Sequence, residues 1–273
     1  LWAQVARTAE ARLQDSDKAI SAWRRVVTLQ PAPEAYDALA RLHLSRNEPA
    51  QAAEWLEKRF DASKGTERID IALRLADARI AAGRLDRAIV ALERALTEDA
   101  TAQGVREKLL GLYRQTDEPA ALAKTLAEGV PHVEPAQQLE YVREAQALYR
   151  QRLGQPAAAI ANLEVVHARG EADQELRGAL AEGYLAAGRL DESRALLEAI
   201  VVEFGRRRSS ERALDHYQLA RVAQAAGDLK EALDQLDKAS SMELGHAAIL
   251  RLLGQLAREA GQADRSERAY RAL

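Results

Sequence analysis

The residues that could do chemistry are present, but their spacing does not assemble a reaction centre. Five histidines, His43, His132, His167, His216 and His246, are scattered along 273 residues. No two of them stand in the HExxH arrangement that turns paired imidazoles to one helix face for zinc, and no Gly-rich phosphate loop is present. Cysteine is absent, which excludes disulfides and thiol chemistry. The chain therefore reads as a non-enzyme, with no catalytic, cofactor-binding or metal-binding residue to name and no cofactor required. The one dense basic run is Arg206-Arg207-Arg208-Ser209-Ser210. It reads as a solvated loop whose arginines follow a helix C-terminus, where the dipole favours cations. A docking loop, or modification at Ser209 or Ser210, is the alternative. The net charge of −3 argues against general attraction to nucleic acid or an anionic membrane surface.

The elements that must carry these side chains are helical. Ala, Leu, Arg and Glu, strong helix formers, dominate the composition, and aromatic residues make up only 4%. No apolar run approaches the ~20 residues needed to span a bilayer, so no membrane insertion is expected. The segment Leu73–Leu96 predicts two short amphipathic helices around a Gly-containing turn, with Leu75, Ala76, Ala88, Leu92 and Ala95 inward. The pattern returns at 178–201 and 217–240. The string AAGRLD occurs at 81–86 and again at 186–191, an offset of 105, close to three periods of 34 or 35. A fixed period of that size marks stacked helix pairs. Such an array escapes the size limit of a single core, because each unit packs only on its neighbours.

On these residues the chain resembles the tetratricopeptide repeat (TPR) family over essentially its whole length. The fold class expected is all-α: a TPR-like α–α superhelix, or solenoid, of about eight helix-turn-helix repeats. The approximate repeats are 1–32, 33–66, 69–102, 103–136, 139–173, 174–207, 213–246 and 247–273, forming one solenoid over 1–273. Both ends fall inside apparent helices, so the chain reads as a piece of a longer protein. Small residues such as Ala76, Ala88, Ala181 and Ala232 should let paired helices approach, and Leu39, Leu56, Leu92, Tyr184 and Leu236 should fill the space beside them. Arg59 stands where the pattern wants a small residue. So do Leu110 and Leu122, and packing of the fourth pair should be looser or shifted there. Gly129, Pro131 and Pro135 should stop a helix.

The resemblance implies that partners bind on the concave face, lined by positions 2, 5, 9 and 12 of each first helix. It places Arg41, Asp77, Glu107, Arg143, Glu182, Tyr217, Arg221, Arg251 and Arg258 there. Acidic residues weigh in the middle, and Arg with Tyr, the usual hot-spot chemistry, gathers toward the end. The chaperone-type carboxylate clamp and the asparagine ladder of glycosyltransferase TPRs are not expected, since Asn47 and Asn162, the only asparagines, miss the lining positions. The function expected is a scaffold that binds a peptide or protein segment of unknown identity in the groove. The alternatives are a structural module that self-associates through its exposed ends around Trp2 and Tyr270, or a regulatory TPR domain of a larger enzyme or transcription regulator. The Ala- and Arg-rich composition suggests a bacterial source. Cytoplasm and periplasm both fit, so the location stays unknown.

Overall fold

The computed structural model describes residues 1–205 and 207–273, and among them there is no strand. The chain forms two compact units, Leu1–Val133 and Glu134–Leu273. The first holds α1 (Trp2–Ala11), α2 (Ser16–Leu29), α3 (Pro33–Ser45), α4 (Pro49–Asp61), α5 (Gly65–Ala81), α6 (Leu85–Glu98), α7 (Gln103–Thr116) and α8 (Pro119–Gly129), then a 3-10 turn at Val130–His132. The second holds α9 (Pro135–Ala147), α10 (Ile160–Ala168), α11 (Gln174–Ala186), α12 (Leu190–Glu203), α13 (Ser210–Ala225), α14 (Leu229–Met242), α15 (Ala247–Glu259) and α16 (Ala263–Arg271). Each unit is thus four helix pairs. Within a unit each helix packs mainly on those before and after it in sequence. We call the first helix of a pair its A helix and the second its B helix.

Isolated helices of this length are marginal in water, so burial and caps must hold them. Asp15, Asp173 and Asp228 accept the N–H of Lys18, Leu176 and Glu231 at 3.0, 3.0 and 2.9 Å, capping α2, α11 and α14. Pro33, Pro49, Pro119 and Pro135 each open a helix, where the missing N–H has no cost. Pro135 therefore starts α9 rather than stopping α8, which ends at Gly129. The turn inside a pair follows one recipe in all pairs but the first and the fifth, where the N–H of Asp15 and of Gln155 reaches back six residues instead. A left-handed residue ends the A helix, and the next N–H reaches back to the carbonyl five residues earlier. Arg84 to Arg79, Arg189 to Tyr184, Asp228 to Ala223 and Gln262 to Ala257 span 2.8–2.9 Å. Glycine takes the left-handed place in these four turns, while Asn47 (φ 58°) and Asp117 (φ 54°) take it in two others.

The small positions lie where helices cross. Ala76, Ala88, Ala181 and Ala232 are all buried, beside buried Leu39, Leu56, Leu92, Tyr184 and Leu236. A side chain added at Gly254 would meet the Tyr270 ring at 2.8 Å. In two pairs the small B-helix residue is serine, and it ties the helices directly. Ser193 donates to the Ala181 carbonyl at 2.7 Å, and Ser266 to that of Gly254 at 2.8 Å.

Three places depart from the regular repeat. Arg59 is buried, yet it is not a lost contact. Its guanidinium donates to Asp37 at 3.0 Å and pairs with Glu67, linking α4 to α3 and α5. Leu110 and Leu122 are both buried in place of small residues, and α8 runs only 11 residues. In the fifth pair the A helix does not run regularly to its turn. It widens into a π turn at Leu148–Arg152, and the B helix begins with a 3-10 turn at Pro156–Ala159. The turn there, LGQP at 153–156, is one residue longer than usual, and the widening takes up that residue.

Candidate partner-binding face

The charged residues of the A helices meet one another from pair to pair. In the first unit Arg7 forks onto Glu34 with bonds of 2.8 and 2.6 Å, and holds that carboxyl below the usual range. Arg41 pairs with Glu10, Asp37 with Arg74 at 2.7 Å, and Asp77 with Lys108. These pairs lace α1, α3, α5 and α7. In the second unit Arg143 on α9 reaches Asp173, the cap of α11, at 2.7 Å. Glu182 on α11 lies between Arg150 at 4.0 Å and Arg221 on α13 at 3.9 Å. Tyrosines add links between A helices and the preceding B helices. Tyr113 donates to Glu93 at 2.6 Å and Tyr184 to Glu164 at 2.9 Å. Burial, then the carboxylate beside it, pushes each phenol up from its ordinary value.

The expected lining residues therefore fall into three groups. Arg41, Asp77, Arg143, Glu182 and Arg221 are engaged with residues of the same unit, and Glu107 takes the Gln103 amide at 2.8 Å on its own helix. Tyr217 is half-buried against the core of the last two pairs. Arg251 and Arg258 are different. Both are exposed on α15, seven residues apart and so on one face, with no hydrogen bond or ion pair among the described residues.

The basic run also resolves into contacts, apart from Arg206, which lies outside the described residues. Ser209 caps α13 by accepting from Arg212 at 3.2 Å. Ser210 donates to Glu243 at 2.5 Å, and Arg208 to the Ser241 carbonyl at 2.7 Å, pinning the loop to the end of α14.

One feature touches the sequence candidates only at Glu182. A cleft of about 450 Å³ lies in the second unit between α11 and α13. Its lining includes the carboxylates of Glu175, Glu182, Glu211 and Asp215, with Arg150 at one side. Asp215 is 8% exposed, and its Oδ2 is enclosed with no hydrogen-bond partner among the described residues. Burial raises its pKa to about 6, opposed by the nearby charge of Arg177 and supported by Glu211. Arg177 itself is committed to Glu203 by bonds of 2.6 and 2.7 Å. The signal was in the repeat. Asp215 is the third residue of its unit, where Ala35, Ile71, Val105, Tyr141, Leu176 and Ile249 stand in other units, all buried. Among the described residues no group of three or more His, Asp or Glu is arranged to hold a metal, and no helix is long and apolar enough to cross a membrane.

Comparison with known proteins agrees with this architecture. Two family models, both described as tetratricopeptide repeat, match the chain: one at residues 8–63 and 217–273, the other at 152–207. No curated protein matches the sequence. Among solved structures, a tetratricopeptide repeat protein from Parabacteroides merdae is 16% identical, with 86% of this chain and 91% of that one covered and a TM-score of 0.44. PilW, a type IV pilus biogenesis factor, is 17% identical over 75% of this chain and 91% of its own, with a TM-score of 0.46. YrrB, described as a TPR protein with an unusual peptide-binding site, is 19% identical over 73% and 97%, with a TM-score of 0.44. The family matches together cover more than half of the residues, so the chain belongs to the tetratricopeptide repeat family.

Proposed function

We propose that this chain, an interaction scaffold by family, captures a peptide or protein segment along the A helices within its units. The nine residues that the resemblance singled out form the proposed face: Arg41, Asp77, Glu107, Arg143, Glu182, Tyr217, Arg221, Arg251 and Arg258. The observation that carries the reading is the contrast within that set. Arg251 and Arg258 are exposed and unpaired, whereas six of the others are already engaged within the chain. An unpaired guanidinium keeps its planar fork available for a partner's carboxylate. Paired residues hold the row in shape and contribute little free charge.

The test is charge reversal. A chain carrying Arg251→Glu and Arg258→Glu is compared with the parent in cross-linking capture from its source cells. Loss of at least about tenfold in the captured partner, with unchanged helical circular dichroism, is the expected result. Undiminished capture would remove these two residues from the face.

A second reading, self-association, is favoured by one observation. Trp2 and Val5 on α1 are 44% and 45% exposed and line a cleft with Ala22 of α2. Exposed apolar patches tend to associate. Light scattering across concentration decides it, and a constant monomer mass would remove this reading.

A further inference from the structure

A buried acid in the place of an apolar residue destabilises a fold unless something uses it. Asp215 occupies the third place of its helix pair, which Ile, Val, Leu, Tyr or Ala fill in the units from the second to the eighth. It is more than nine-tenths buried, it lines the α11–α13 cleft, and Oδ2 is unpartnered among the described residues. The neighbouring cation, Arg177, gives its two terminal nitrogens to Glu203, and neither its Nε nor Asp215 Oδ2 has a hydrogen-bond partner among the described residues.

The cleft around it has the shape and charge of a receptor for a cation. Glu175 and Glu211 add carboxylates at its rim, and the first has no partner among the described residues. Glu182 is shared loosely between Arg150 and Arg221, at 4.0 and 3.9 Å. Leu197 and the 43% exposed Leu214 supply an apolar lining. Gly178 leaves one wall open, since a Cβ built there meets nothing within 4 Å. The acids are not grouped as metal ligands, so an organic cation fits better than an ion. Guanidinium is the better match than ammonium: it is more weakly hydrated, stays charged, and forks onto carboxylates. Its aliphatic stem can lie along leucine while the head reaches the acid.

We propose that this cleft receives one arginine side chain of a bound partner segment, the stem along Leu214 and the guanidinium against the Asp215 carboxylate. The proposal rests on the reading of the chain as a segment-binding scaffold and names the chemistry of the segment.

The experiment uses the whole chain and two dye-labelled nonapeptides of alanine, glycine and serine. One has a central arginine; its twin has citrulline, which keeps the shape and drops the charge. Fluorescence polarisation should show the arginine peptide binding roughly tenfold more tightly than its twin. Asp215→Asn should bring the two peptides within about twofold of each other. Gly178→Leu, which fills the cleft from a helix position that tolerates leucine well, should weaken the arginine peptide by a similar factor. Circular dichroism confirms that both variants fold. No preference for arginine in the parent chain would overturn the proposal. So would a preference kept in both folded variants. If the cross-linked partner is held equally by parent and Asp215→Asn, the cleft assignment fails while the scaffold reading stands. If the parent captures no partner at all, it is the scaffold reading that fails.

Discussion

At the scale of single residues, the informative neighbours are Asp215 and His216. Both are buried in α13, and burial drives each toward its neutral form. The consequences for stability run in opposite directions. The Asp215 carboxyl titrates near pH 6 when folded and near 3.8 when unfolded, so its favourable contribution is complete below about pH 4 and lost as pH rises through 6. His216 is held below its ordinary value, while its Nδ1 lies 2.7 Å from the Gln235 amide oxygen. Its contribution is present above the usual histidine range and lost as pH falls. Asp215→Asn should therefore raise stability at pH 8 by about 1–2 kcal/mol, less than the full shift implies because the cleft admits water. The gain should shrink between pH 6 and 4, as thermal melts of parent and variant across that range would show. A gain independent of pH would mean that the carboxylate is not strained.

At the scale of elements, two substitutions probe the helix pair. Ala88 is fully buried where α6 crosses α5. Ala88→Leu is expected to cost about 1–3 kcal/mol by overpacking, read from a denaturant midpoint. The turn after α7 holds Asp117 in the left-handed region, where four sister turns have glycine. Asp117→Gly should gain several tenths to about 1 kcal/mol, because relief of the left-handed strain exceeds the added freedom of the unfolded chain. A lowered midpoint would show that the Asp117 side chain contributes more than its backbone costs.

The helix pairs were legible in sequence for a simple reason. Alanine at a crossing cannot be exchanged for a larger residue without moving a helix, so Ala76, Ala88, Ala181 and Ala232 recur visibly, and all are buried. What escaped was governed by other physics. The extra residue before Pro156 was visible, but its absorption by a π turn depends on backbone hydrogen bonding that leaves no residue pattern. Arg59 looked like a defect because its partners, Asp37 and Glu67, lie on other helices. Much of the face was named as available charge when it is paired across neighbouring A helices. Asp215 stands out only against the apolar residues at the third place of the other units, a contrast that no motif around it marks.

At the scale of the whole chain, stability should be uneven. Packing is between neighbours in sequence, so an element with fewer buried residues opens more readily. Within α1 only Ala6 and Ala9 are buried, and within α16 only Ser266 and Ala269, whereas α3 buries seven residues. The helix α10 likewise buries only Leu163 and Val166, so amide hydrogen exchange of this chain should be fastest in α1, α10 and α16 and slowest in helices such as α3. Uniform protection would argue for a single cooperative core instead.

The lacing of the A helices has one more effect. Helix pairs built to a common template are geometrically interchangeable, and nothing in their alanines says which should follow which. The charges do. At the ninth place the second pair has Arg41, set against Glu10, and the third has Asp77, set against Lys108; exchanging these two pairs would bring Asp77 against Glu10 and Arg41 against Lys108. Electrostatics thus writes a reading order into a stack whose shape alone would accept any permutation.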